Sequence, residues 1–371
     1  MKQPKIAIIS DWLTNMGGAE RVILAMHEAF PDAHIYTSVY EPKALPLFKG
    51  LNIRTTRLQK LPRPLRKLHK FFPMLRVKAF RDLDLSDYDV IISCTGAEAK
   101  QVRKTRDGQV HICYCFTPIR YYWSHYDEYK KDPGFGKLNW LIRLAMPLMV
   151  PPLKKADLEA VKNIDIFIAI STETQRRIKK YYGRNSTVIH PPVDADRFRG
   201  IAKPLAKRSG YVALGRQVPY KRVDLAVRAC TALKLPLTVI GNGSEHDRLV
   251  AMAGPTVTFE TNATDERVAK ILGSAKGFIF PAEEDFGIVQ VEALAAGTPV
   301  IAYAHGGSED IVRHGEGGIT FRAQNPISLE NALMEVEQSN FKPSDLQRVA
   351  KRFHKSLFIS KIKKIVSDSA R

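Results

Sequence analysis

The sequence predicts an α/β protein of two doubly wound, Rossmann-like domains facing across a cleft, and three observations carry that prediction. The chain has 371 residues, more than one hydrophobic core usually supports. Short, nearly continuous apolar runs alternate with helical periodicity from end to end, as in parallel strands covered on both faces by helices. The pattern is interrupted at Pro191 and Pro192 and then restarts. The first set of runs is KIAIIS at 5–10, IYTSVY at 35–40, DVIISC at 89–94, HICYCF at 111–116 and DIFIAIS at 165–171. The second is YVALG at 211–215, LTVIG at 237–241, TVTFE at 256–260, GFIFP at 277–281 and PVIAY at 299–303. A last segment, FHKSLFISKIKKIV at 353–366, reads as an amphipathic helix with Phe358, Ile362 and Ile365 on one side. Domains are therefore expected at 1–192 and 205–350, with HPPVDADRFRGIAKP at 190–204 as the hinge and 351–371 as a C-terminal helix.

Composition narrows the class. Hydrophobic residues make up 44% of the chain and its 22 prolines are spread along it, which argues against a long disordered tract. No stretch is long and apolar enough to cross a membrane, and the N-terminus leads directly into a first core strand, so a cytoplasmic protein is expected. Cys94, Cys113, Cys115 and Cys230 make no metal-site spacing and read as buried, reduced thiols.

A net charge of +19 points to an anionic partner. Residues 51–81 hold ten Lys/Arg and no Asp or Glu, interleaved with Leu65, Leu68, Phe71, Phe72 and Leu75. That mixture suits an anionic membrane surface, with Arg63, Arg66, Lys67 and Lys70 as the contacts and Pro64 and Pro73 limiting any helix between them. A solvated basic face over a buried stripe is the alternative. A nucleic-acid partner is not expected, because no such motif is present and the aromatic residues are not interleaved with these cations in an RNA-binding pattern.

In open parallel sheets ligands bind at the carboxyl ends of the strands, so the loops there carry the chemistry. The first strand runs into SDWLTNMGGAERV, where Gly17 and Gly18 precede a helix and allow backbone to approach a ligand closely. The first strand of the second half ends in GRQVPYKRVD, and Arg216 with Lys221 on one loop make a natural diphosphate clamp beside Gly215. Gly241 and Gly243 follow the next strand, again with a helix after them, and join Gly17, Gly18 and Gly215 as candidate donor-binding positions. The stretch EDFGIVQVEALAAGTPV then places Glu284 and Glu292 eight residues apart. Eight helical steps of 100° would leave them about 80° apart around the axis, so Glu284 belongs in the loop before a helix and Glu292 on its second turn. Such a helix start offers amides to phosphate while the carboxylates accept from sugar hydroxyls.

The series GGAERV, GR-x4-K, G-x-G, EDFGIVQVEALAAGTPVIA and GG-x-E (Gly306, Gly307, Glu309) resembles the retaining glycosyltransferases of family 4, which have the GT-B fold. It covers nearly the whole chain, and GGAERV with CYCFTPIRYYW is similar to bacterial mannosyltransferases of O-antigen and capsule assembly. The resemblance implies that Glu292 accepts from the nucleotide ribose and Glu284 from the donor sugar. Amides of Phe286, Gly287 and Ile288 would hold sugar and phosphate, and Arg216 and Lys221 would neutralise the departing diphosphate without a metal. It also implies a C-terminal helix returning to the first domain. GDP-mannose is the first donor expected and a UDP-hexose the second, with a lipid-linked or polysaccharide acceptor at the inner face of the cell membrane. One departure stands out: Phe116 occupies a position where the family commonly has histidine, and His111 is a poor substitute. Arg120 is the candidate polar group of that loop, while Tyr121, Tyr122 and Trp123 are candidates to line an acceptor groove, with packing at the domain edge as the alternative. A catalytically weak sugar-nucleotide-binding relative is the remaining alternative.

Overall fold

A computed structural model describes residues 4–124, 126–131, 139–198 and 200–369, apart from the side chains of Lys67, Lys70, Glu128 and Tyr129. The chain forms two compact units, one from residues up to His190 together with those from Phe358 on, the other from Pro191–Leu357.

The first unit is built on seven parallel strands: β1 (Ile6–Ser10), β2 (His34–Thr37), β3 (Ile53–Thr55), β4 (Val90–Thr95), β5 (Val110–Cys115), β6 (Ile166–Ala169) and β7 (Thr187–Val188). Their order is β3-β2-β1-β4-β5-β6-β7. Ile8 pairs in register with Ile35 on one side and Ile92 on the other, and all three are buried because helices cover both faces. The four cysteines are free and buried.

The second unit has six parallel strands, β8 (Tyr211–Leu214), β9 (Leu237–Ile240), β10 (Val257–Glu260), β11 (Gly277–Phe280), β12 (Val300–Tyr303) and β13 (Gly318–Phe321), in the order β10-β9-β8-β11-β12-β13. In both sheets the connections reverse direction beside the first strand, between β1 and β4 and between β8 and β11. These are the switch points at which open sheets leave room for a ligand.

Two expectations need correcting. The segment expected as a hinge at 190–204 lies on the second unit from Pro191 onward: Val193 bridges to His354, Phe198 is fully buried, and Lys203 donates to Gly273. The final helix, Lys355–Ser369, buries Phe358, Ile362 and Val366, whereas Ile365 is only partly covered. Val366 stands one turn after Ile362, about 40° from it around the axis, and is buried on that side of the stripe. Phe358 meets Tyr114 edge-on at 5.5 Å, so the helix joins the first unit as expected.

Candidate active site

The second unit's switch point gathers the expected residues. β8 ends at Leu214, and Gly215 follows with φ +148, a conformation that favours glycine. Arg216 is exposed, and Lys221 closes the short turn Pro219–Lys221. From the neighbouring β11 the chain passes through Glu284 to Gly287, whose φ of +83 opens the helix Ile288–Ala295. Val291 and Leu294 are fully buried beneath it and Ala295 nearly so, as the apolar spacing requires. Lys221 Nζ lies against Glu284 Oε1, and both side chains are 16% exposed. A cation and a carboxylate are thus held together at the mouth of the sheet.

Glu292 is buried one turn behind, its Oε1 3.8 Å from the Arg197 guanidinium. Arg197 also stands 3.3 Å from Asp265, at the start of the helix Asp265–Leu272. Each glutamate of the pair therefore faces a cation. Arg197 lies in the segment expected as a hinge, and nothing in its own sequence context distinguished it.

The glycines of these loops serve close backbone contact. A Cβ at Gly241 would lie 2.2 Å from the Gly215 carbonyl oxygen, and one at Gly243 would lie 2.2 Å from that of Gln217. Gln217, fully buried, donates to the Gly241 carbonyl at 2.7 Å and meets His246 Nδ1 at 2.7 Å. Gly241 and Gly243 thus hold two strand-end loops together. Gly306 and Gly307 do the same for the carboxylate loop: their Cβ atoms would fall 2.4 Å from the Glu284 oxygen and 2.2 Å from Phe286 Cα, and the Gly307 amide donates to Glu284 at 2.7 Å.

The first unit's switch point is built differently. Gly17 caps the helix Gly18–Ala29, which buries Val22, Ile23 and Met26. Asp11, just after β1, accepts from Thr95 Oγ1 and from the amides of Gly96, Ala97 and Ala99 at 2.7 to 3.1 Å. Burial nevertheless pushes its carboxyl up from the ordinary value. Glu98 takes a bidentate pair from Arg76 at 2.8 and 3.0 Å and further bonds from the hydroxyls of Tyr121 and Tyr122 at 2.6 and 3.2 Å. Burial pushes Glu98 up, but the guanidinium and these donors outweigh it and hold the carboxyl below its usual range. Lys100 pairs with Asp157 at 2.9 Å, both fully buried, and Asp157 also accepts from Trp123 Nε1 and the Tyr182 hydroxyl at 2.8 Å. An Asp at the end of a core strand was the one signal of this network in the sequence.

Tyr121 and Trp123 thus spend their polar tips on internal carboxylates, and Trp123 stacks on Tyr181 at 5.5 Å, which matches packing rather than an open sugar-stacking groove. Arg120 is half-buried. Phe116 rests edge-on against Tyr114, and its carbonyl accepts from Thr174. His111 is buried against Ser93 at 2.8 Å, and burial lowers its pKa to about 4, so it stays neutral and away from the strand end.

The basic tract is less free than its sequence suggests. Arg66 pairs with Glu41 at 2.9 Å and donates to the Gln59 carbonyl, and Arg76 is buried entirely. These two cations are consumed by acceptors that lie outside the tract or on its backbone. Arg63 is exposed, and the side chains of Lys67 and Lys70 lie outside the described residues. Among the described residues no helix is long and apolar enough to cross a membrane.

Comparison with known proteins defines the class. Residues 16–197 match the family described as Glycosyltransferase Family 4, and residues 196–353 match Glycosyl transferases group 1. The chain carries the paired domains of the GT-B glycosyltransferases, family 4-like and then group 1-like. Among curated relatives, a D-inositol 3-phosphate glycosyltransferase of Nocardioides sp. is 27% identical over 219 residues, covering 49% of this chain and 48% of that one. Its counterpart in Mycolicibacterium gilvum is 32% identical over 185 residues, covering 44% and 41%. The chain spans about half the length of the curated relatives it matches, and these are not specifically O-antigen mannosyltransferases. Among solved structures, Anabaena HepE in complex with UDP and glucose superposes with a TM-score of 0.69 at 17% identity, covering 98% of this chain and 100% of that one. Sucrose-phosphate synthase of Thermosynechococcus elongatus gives 0.72 at 18%, covering 99% of each. At such identity the likeness is one of fold.

Proposed function

We propose that the protein transfers a hexosyl group, mannose in the first instance, with retention from a nucleoside-diphosphate sugar to a lipid-linked or surface-polysaccharide acceptor at an anionic membrane face. The observation that carries this reading is the meeting of Lys221 and Glu284 at the second unit's switch point, beside exposed Arg216 and the N-terminus of the helix Ile288–Ala295. When a donor enters, its diphosphate exchanges with Glu284 for Lys221, and the sugar hydroxyls donate to the released carboxylate. Glu292 accepts from the ribose. As the glycosidic bond breaks, charge grows on the leaving phosphate, where Arg216, Lys221 and the helix amides stabilise it without a divalent ion. That phosphate is also placed to take the proton of the incoming acceptor hydroxyl on the same face of the sugar. Amides supplied by Phe286, Gly287 and Ile288 orient the donor.

GDP-mannose is the donor favoured by the sequence. A UDP-hexose is the second reading, supported by a GT-B neighbour solved with UDP-glucose. Phe116, which can neither donate nor accept from its side chain, supports a third, a sugar-nucleotide-binding relative of low activity. Thermal shift with a panel of GDP- and UDP-sugars separates these, because a ligand that binds only the folded state raises its stability by mass action. The matching donor should shift the midpoint and be turned over in EDTA. Loss of turnover on chelation, with recovery in magnesium or manganese, overturns the metal-free clamp.

A further inference from the structure

The helix Asn139–Lys162 turns one apolar stripe, Met146, Val150 and Leu153, into a buried cluster with Val77, Ile119 and Tyr122. Its first half carries a second stripe. Trp140, Leu141, Leu144 and Leu148 recur at one to four residues and centre on the opposite side of the axis from the buried set. Leu144 is 67% and Leu148 80% exposed. A helix apolar all round is normally enclosed, and here one side is not.

The neighbouring helix Pro73–Arg81 sends Val77 into the same cluster and leaves Met74 and Leu75 exposed one turn earlier, with Phe72, Leu68 and Leu65 exposed before them. Two elements that share one core cluster therefore both present large apolar side chains to solvent, more than scattered surface residues account for. Charge along the two segments themselves is one-sided. Neither 51–81 nor 139–156 contains an Asp or Glu, and Lys60, Arg63 and Lys78 are exposed. Lys130, Lys131 and Arg143 line an open basin, with Asp127 beside them among the described residues.

We propose that this face of the first unit docks on an anionic lipid bilayer, with Leu144, Leu148 and Trp140 entering the interfacial layer and the surrounding cations meeting headgroup phosphates. Apolar side chains ringed by cations suit a lipid interface, where tryptophan is also favoured. A second copy of the chain fits poorly, since it would bring the same positive charge against itself on a chain already at +19. The proposal rests on the membrane-side reading of the acceptor, yet it moves the main attachment from the basic tract to the helix, because Arg66 and Arg76 are held by internal partners.

The test is sedimentation of the full chain with phosphatidylcholine vesicles and with vesicles also containing phosphatidylglycerol. Donor binding is followed in parallel by thermal shift. The parent should sediment with the anionic vesicles, and salt should weaken this without abolishing it, since the apolar contribution is unscreened. Leu144→Gln with Leu148→Gln should lower vesicle affinity by about tenfold or more while leaving the melting point and donor binding unchanged. Sedimentation of the double variant equal to the parent's overturns the proposal. So does a parent that ignores both vesicle types, whether or not it forms dimers through this face in light scattering. If vesicle binding fails while a sugar nucleotide still binds, docking alone is withdrawn; vesicle binding without any donor binding instead sinks the transferase reading.

Discussion

The two units share a strand order through their first six strands, and yet their switch points are filled in opposite ways. In the first, Asp11, Glu98 and Asp157 are buried and each is met by several internal donors. In the second, Arg216 is exposed, and Lys221 with Glu284 remains partly open to solvent. Topology brings loops from two strands to one place in both sheets. Whether that place becomes a brace or a receptor depends on whether the charges there are satisfied within the chain. A buried ion pair is strongly destabilising to break, whereas an exposed cation can be removed with little structural cost.

The sharpest way to break this comparison is to cut one charge from each site. Glu98→Ala should destabilise the first unit by about 3–5 kcal/mol, because it strands Arg76 in the interior. Trp12, Trp123 and Trp140 all lie in that unit, so urea unfolding followed by tryptophan emission reads it selectively. Arg216→Ala should shift stability by less than about 0.5 kcal/mol and lower turnover about 100-fold. Comparable unfolding midpoints for the two variants would erase the distinction between brace and receptor.

A second test sharpens the account of the first unit's interior. His111 is neutral in the fold, with a pKa lowered to about 4 by burial, against 6.5 for an ordinary histidine. Between these values the unfolded chain takes up a proton that the folded one refuses, so stability falls as pH drops through that window, by up to about 3 kcal/mol. The contribution is absent above the ordinary value and complete below the folded one. Tryptophan-monitored unfolding at pH 7 and pH 5 should show this slope in the parent and a flatter one in His111→Gln. An unchanged slope in the variant would mean that other groups control it.

The smallest effect concerns the division of labour within the receptor. Glu292→Gln should weaken nucleoside-diphosphate binding about tenfold with modest change in turnover, since a ribose contact is the same in ground and transition states. Glu284→Gln should act mainly on turnover. Equal losses of nucleotide affinity in isothermal titration would show that the two glutamates are not divided in this way.

Much of the fold was legible because ten apolar runs stand out from their surroundings, and each overlaps an observed strand. The strands β3, β7 and β13 escaped for physical reasons. β3 is three residues long with Arg54 at its centre, pairing only with β2; β7 has two residues; and β13 follows a glycine-rich turn at the sheet edge. Short edge strands need little continuous hydrophobicity. At the site, spacing and the Asp-Phe-Gly turn correctly separated Glu284 in a loop from Glu292 on a helix. Pairings could not be read in the same way. Arg197 beside Glu292, Arg66 on Glu41 and Arg76 on Glu98 join residues distant in sequence, and a cation carries no local mark of being buried. Nor does any local mark show that the glycines at 241, 243, 306 and 307 each admit a neighbouring loop.

The closing helix has a bearing on synthesis. Phe358 covers Tyr114 within the first unit, although the whole second unit lies between them in the chain. On the ribosome the first sheet therefore emerges early, but Tyr114 lacks its Phe358 partner until the second unit has been made. Domains usually fold as they emerge, and exposed apolar surface at that stage invites misassembly. The nascent first unit is thus a stretch of this chain that gains from shielding, and its completion waits for a helix made only after the second unit.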